Sequence, residues 1–126
     1  MQHLGAHLES VEAGRVAIRL AQANNLTQQH GYLHAGAVAS VADSACGYAA
    51  LSLMPANAAV LTVEFKVNLM APALGDYIIA SGEVIKHGRT LTIAEARVHA
   101  YQGGQNKLVA SLTATLMTVK DREIRD

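Results

Sequence analysis

Gly31-Tyr32-Leu33-His34-Ala35-Gly36-Ala37-Val38-Ala39-Ser40-Val41-Ala42-Asp43-Ser44-Ala45-Cys46-Gly47-Tyr48-Ala49-Ala50 is a run of small and apolar residues interrupted by a single carboxylate. It reads as a helix opening near His34 to Gly36 and stopping before Pro55, because proline disfavours helical geometry in the residue that precedes it. Asp43 is the anomaly. The residues three and four away from it are Ala39, Ser40, Cys46 and Gly47, so no cation lies within a helical turn. Burying an unpaired carboxylate is costly, and aspartate prefers caps and turns to helix interiors. Either Asp43 is satisfied by backbone or by Ser40 or Ser44, or it is there for chemistry.

Downstream the periodicity changes from helical to alternating. Leu61, Val63, Phe65, Val67 and Leu69 alternate with Thr62, Glu64, Lys66 and Asn68, the pattern of a half-buried strand. Tyr77 to Lys86, Thr90 to Tyr101 and Lys107 to Val119 are rich in β-branched and apolar residues and are separated by glycine-containing turns. They read as consecutive antiparallel strands. Upstream, His7 to Val11 and Arg15 to Ala21 form a hairpin around Glu12-Ala13-Gly14, and the polar stretch Asn24 to Tyr32 leads into the helix. One apolar helix and a sheet make an α+β domain in which a curved antiparallel sheet wraps around a central helix. Small side chains along Thr92, Ala94, Ala96, Val98 and Ala100 would let the sheet approach that helix closely. A lone helix cannot cover both faces and the edges of such a sheet, so at least a homodimer is expected.

Composition narrows the function. With 126 residues and 51% hydrophobic content the chain is read as one domain, 1–126, able to build its own core. Ten acidic residues balance ten basic ones, which leaves no general field for nucleic acid or an anionic membrane. The N-terminus has neither a basic leader nor an apolar run. The stretch Ala35 to Met54, interrupted by Asp43 and by Ser40, Ser44, Gly47 and Ser52, suits a buried helix better than a membrane span. The only cysteine, Cys46, has no metal-ligand spacing around it and suits a small core position in a reducing cytoplasm. His3 and His7, and His30 and His34, are each four apart, but without cysteines and with few carboxylates they point to no metal site.

Three motifs occur in order: His34-Ala35-Gly36 with Asp43 nine residues after the histidine; Leu61-Thr62-Val63-Glu64-Phe65 followed by Met70-Ala71-Pro72-Ala73 and Gly75; and Lys86-His87-Gly88-Arg89-Thr90. Together they resemble the hotdog-fold thioesterases, specifically the PaaI-like acyl-CoA thioesterases, over roughly Thr27 to Val119. The resemblance implies that the backbone N–H at Ala35, where many relatives have glycine, binds the thioester carbonyl. It also implies site roles for Gln28, where relatives often have asparagine, and for Thr62, where some have serine. By the same likeness the assembly is a homodimer and further a homotetramer, the substrate is an acyl-CoA, and no cofactor is needed beyond the coenzyme A of the substrate.

The chemistry can be sketched from the residues. Thioester hydrolysis needs an activated water or a nucleophile, and a group to stabilise the negative oxygen. Amides at the helix start, Ala35 to Ala37, have no intrahelical partner and lie at the positive end of the dipole. Asp43 would act as general base, or as a nucleophile forming a transient anhydride. At a rise of about 1.5 Å per residue, Asp43 lies roughly 12 Å along the axis from Ala35, too far for one carbonyl to meet both groups of one helix. The site is therefore expected to combine the helix start of one subunit with Asp43 of the other. Gln28 and Thr62 are candidates to position water or the carboxylate, and His34 to orient the turn. Lys86, His87 and Arg89, with amides near Gly88, are the best local cluster for the phosphates of coenzyme A. Tyr48, Leu51 and Met54, on later turns, line an acyl pocket or belong to the core. Two other readings share the fold: an acyl-CoA hydratase or dehydratase pairing Asp43 with His34, and a non-catalytic acyl-CoA sensor.

Overall fold

The computed structural model describes residues 5–22 and 34–120. Strands β1 (Ala6–Glu12) and β2 (Arg15–Ala21) form a hairpin, followed by the helix α1 (Ala35–Leu51). Four strands complete the chain: β3 (Ala59–Leu69), β4 (Tyr77–His87), β5 (Leu91–Gln102) and β6 (Gln105–Val119). They make one six-stranded sheet in the order β1-β2-β4-β5-β6-β3, and every pairing is antiparallel. The expected α+β architecture and its element order are those observed. This is the hotdog arrangement, one helix held in the hollow of a sheet.

The helix packs across the sheet because both surfaces are made of small residues. On α1, Val38, Val41, Ala42, Ala45, Cys46 and Ala49 are buried at helical spacing. They meet the inward face of β5, where Thr92, Ala94, Ala96, Val98 and Ala100 are all buried, as the alternation in that segment required. Gly82 of β4 marks the closest approach. A Cβ there would come within 2.5 Å of the Ala45 carbonyl, so only glycine fits. At its far end the helix is clamped by the β1–β2 turn. The Ser52 hydroxyl donates to the Ala49 carbonyl at 2.6 Å and accepts from the Gly14 amide at 2.7 Å. Leu53 and Met54 then donate three residues back, to Ala50 and Leu51, and the chain leaves the helix before Pro55.

β3 departs from expectation in an instructive way. It is an edge strand rather than a half-buried one: Leu61, Val63, Phe65 and Leu69 are each about half exposed. A bulge between Thr62 and Glu64 also breaks the alternation. Before it, Thr62 lies opposite the buried Leu116 and so faces the helix, while Leu61 lies opposite Met117 and faces outward. After it, Phe65, Val67 and Leu69 lie opposite Ala114, Leu112 and Ala110 and face the helix side. The extra residue at the bulge changes which side chains point inward, and it aims Thr62 at α1.

Candidate active site

Asp43 is half-buried on the flank of α1 that faces β3. The Thr62 hydroxyl donates to Asp43 Oδ1 at 2.8 Å. That bond answers the question the helix sequence raised, because the partner of the carboxylate comes from the bulged strand and not from Ser40 or Ser44 on its own helix. The pair opens into a cavity of about 280 Å³ lined also by Ser44, Gly47, Tyr48, Leu51 and Val60. Its walls beyond Asp43 are mostly apolar, with the Tyr48 ring partly exposed at 41%. A carboxylate held by one hydroxyl in the lining of a cavity can take a proton from water or attack a carbonyl.

The helix start supplies the second group. His34 is the N-cap with extended backbone, φ −60° and ψ 142°, and its carbonyl accepts the amides of Ala37 and Val38 at 3.0 and 3.1 Å. Ala37 is therefore already used. The N–H groups of Ala35 and Gly36 precede the first intrahelical bonds, and both residues are exposed. A Cβ at Gly36 would meet nothing within 4 Å. The His34 side chain makes no capping hydrogen bond. Gln28 lies outside the described residues.

The basic cluster near β4 separates on folding. His87 and Arg89 line a cavity of about 910 Å³ at the C-terminal end of the helix, together with Lys120, Thr118 and Met54. Lys86 pairs with Ile93 and His87 with Thr92, so these neighbours point to opposite faces of the sheet. His87 Nδ1 lies 3.0 Å from the Thr92 hydroxyl. The Gly88 amide donates to the Leu91 carbonyl at 2.8 Å and is not open to a phosphate. Of the three apolar candidates, Tyr48 and Leu51 stand beside Asp43, and Met54 lies in the other cavity. Gly47 and Val60 also line the Asp43 cavity. Neither was singled out from the sequence: the place of Gly47 one turn after Asp43 was the signal that could have found it, whereas Val60 precedes the segment whose alternation marked the strand.

Cys46 is not a nucleophile. Burial, aided by the charges of Asp43 and Glu95, pushes its thiol up to about 12, so it stays protonated. Among the described residues, no three His, Cys, Asp or Glu side chains come together as a metal site. No helix among them is long and apolar enough to cross a membrane.

A family model described as the thioesterase superfamily matches residues 30–107, which include the helix start, Asp43, Thr62 and the β4–β5 turn. The chain belongs to the thioesterase superfamily. A thioesterase family protein from Silicibacter pomeroyi has the same fold, with a TM-score of 0.93 and 52% identity over 95% of this chain and 88% of that one. The PaaI protein of E. coli, from the phenylacetic acid degradation operon, shares the fold at a TM-score of 0.81 and 19% identity, over 94% and 82% of the two chains. In sequence, the 1,4-dihydroxy-2-naphthoyl-CoA hydrolase of Listeria monocytogenes is 25% identical over 95 residues, 75% of this chain and 77% of its own. The hotdog fold and thioesterase family that the three motifs implied are thus the ones found.

Proposed function

We propose that this superfamily member hydrolyses acyl-CoA thioesters in the cytoplasm, with Asp43 as the catalytic carboxylate and the Ala35 and Gly36 amides as the oxyanion site. The observation that carries the reading is the Thr62 to Asp43 hydrogen bond beside an apolar cavity. A structural aspartate needs a bond. It has no need of an adjoining cavity.

Asp43 and Ala35 lie eight residues apart on one helix, or roughly 12 Å, so one site needs two copies of the chain. The apolar residues half exposed on the β3 edge support a homodimer paired through that strand, with two dimers forming a tetramer. Arg89, with Lys120 nearby, supplies positive charge for the phosphates of coenzyme A, and His87 lines the same cavity. Thr62 orients the carboxylate, and Asp43 takes a proton from water or attacks the carbonyl carbon directly. Gln28 and His34 are secondary candidates for positioning water and the helix turn.

The test is release of free coenzyme A from a panel of acyl-CoAs. Asp43→Asn should lower kcat at least about a hundredfold with folding unchanged; equal rates would remove Asp43 from catalysis. Two-chain assembly has its own test. Ala35→Pro deletes the amide at the first helical position, where proline is tolerated, and His34 already has the extended backbone a following proline requires. Each variant alone should be inactive. Refolded together from denaturant in equal amounts, half of the dimers would be hybrids carrying one intact site, so about a quarter of the wild-type rate should return. A site confined to one chain would recover nothing.

A further inference from the structure

Gly47 lies inside α1, buried, one turn after Asp43. Glycine weakens a helix interior relative to alanine, and so calls for an explanation. Crowding is one such explanation, and it holds at Gly82, where a Cβ would strike the helix backbone. It does not hold at Gly47. A Cβ there would meet only Val60 Cγ1, at 3.8 Å, an ordinary contact. Nor does the backbone demand glycine, because Gly47 is not among the positive-φ glycines of the chain. What the missing side chain does is leave open the cavity of about 280 Å³ that begins at the Asp43 carboxylate.

We infer that Gly47 is a specificity-determining residue, and that the space over it receives the acyl group of the substrate. The inference rests on the thioesterase reading and names its substrate class. One helical turn is about 5.4 Å, so the space lies beside atoms some four or five bonds beyond a carbonyl held at Asp43. Val60, Leu51 and Tyr48 bound it, and Asp43 is the one charged residue in the lining. The acyl groups that fit are apolar ones with bulk beyond the fourth carbon, such as medium chains or an aryl ring. Short acyl groups leave the space empty. Acyl groups ending in a second carboxylate would bring a negative charge into an apolar cavity whose charged residue is already negative.

The experiment compares kcat/KM for butanoyl-, octanoyl-, phenylacetyl- and succinyl-CoA in wild type, Gly47→Ala and Gly47→Val. Wild type should favour octanoyl and phenylacetyl over butanoyl by about tenfold or more, and succinyl should be the poorest of the four. Gly47→Val should reduce the octanoyl-to-butanoyl ratio about tenfold, and Gly47→Ala should fall between. The alanine variant should also melt at a higher temperature, which guards against a valine variant that fails to fold. A ratio unmoved by either substitution would overturn the inference. So would an equal fall for all four substrates, because the part they share is the pantetheine arm, and that arm would then lie over Gly47. If wild type turns over none of the four, the thioesterase reading fails first and the inference fails with it.

Discussion

The two flanks of α1 differ sharply. Toward β4 and β5 the helix presses on the sheet so closely that Gly82 has no room for a methyl group, and the side chains between them are buried. Toward β3 the same helix stands off from a bulged edge strand, and the space between holds Asp43, Thr62 and an open cavity. Each flank has a glycine at its centre, yet Gly82 on one side closes the packing and Gly47 on the other leaves a void. What distinguishes them is the strand they meet. A central strand is held on both sides by hydrogen bonds and can lie flat against the helix. An edge strand with a bulge can turn a hydroxyl toward the helix while its outer rim remains free for another copy.

The contrast breaks most directly at Gly82. Gly82→Ala places a methyl group against the Ala45 carbonyl with backbone on both sides, so neither partner can yield by rotating a side chain. The expected loss is about 3 kcal/mol, measured by urea unfolding, the upper end for overpacking a core. A loss under about 0.5 kcal/mol would mean that the helix stands farther from the sheet than its packing shows.

The packed flank can also be probed without changing shape, through Cys46. Its thiol is raised in the folded protein from 9.0 to about 12, so above pH 9 the unfolded chain releases a proton that the folded chain keeps. The contribution is fully present below pH 9 and is lost as pH rises toward 12. Between pH 8 and pH 10 the wild type should lose about 1 kcal/mol more stability than Cys46→Ala, which has no thiol to titrate. Parallel pH profiles for the two proteins would mean that solvent reaches the thiol.

The same difference between flanks explains how much could be read from the sequence. The packed side was legible because burial imposes periodicity: alternating small residues in Thr92 to Ala100 fixed the inward face of β5, and the apolar helix had only one sheet to pack on. Asp43 was legible for the opposite reason, as a charge without a local partner. β3 was legible as a strand but not in its facing. Five apolar residues in strict alternation give no sign of a bulge, which is set by pairing with β6 and by the needs of the site. The basic turn misled in a similar way. Lys86 and His87 are adjacent in sequence, which in a strand places them on opposite faces, and the Gly88 amide closes the turn onto Leu91.

The smallest expected change in stability belongs to the open flank, and there it comes with a loss of activity. Thr62→Val keeps the shape of the side chain and removes the hydroxyl that donates to Asp43. Thr62 is exposed, so water can replace the lost donor and the carboxylate is not left buried without a partner. Unfolding free energy should therefore move by less than about 0.5 kcal/mol. The carboxylate, however, would lose the bond that fixes its rotamer, and a base or nucleophile that wanders by an ångström spends less time in reach of the reacting carbonyl. With an acyl-CoA that wild type turns over, kcat should fall about tenfold with a smaller change in KM, and Thr62→Ser, which restores the hydroxyl, should recover most of the rate. If Thr62→Val destabilises the protein as much as Gly82→Ala while leaving kcat alone, the Asp43 to Thr62 bond is a strut between helix and edge strand, and the two flanks of α1 are alike after all.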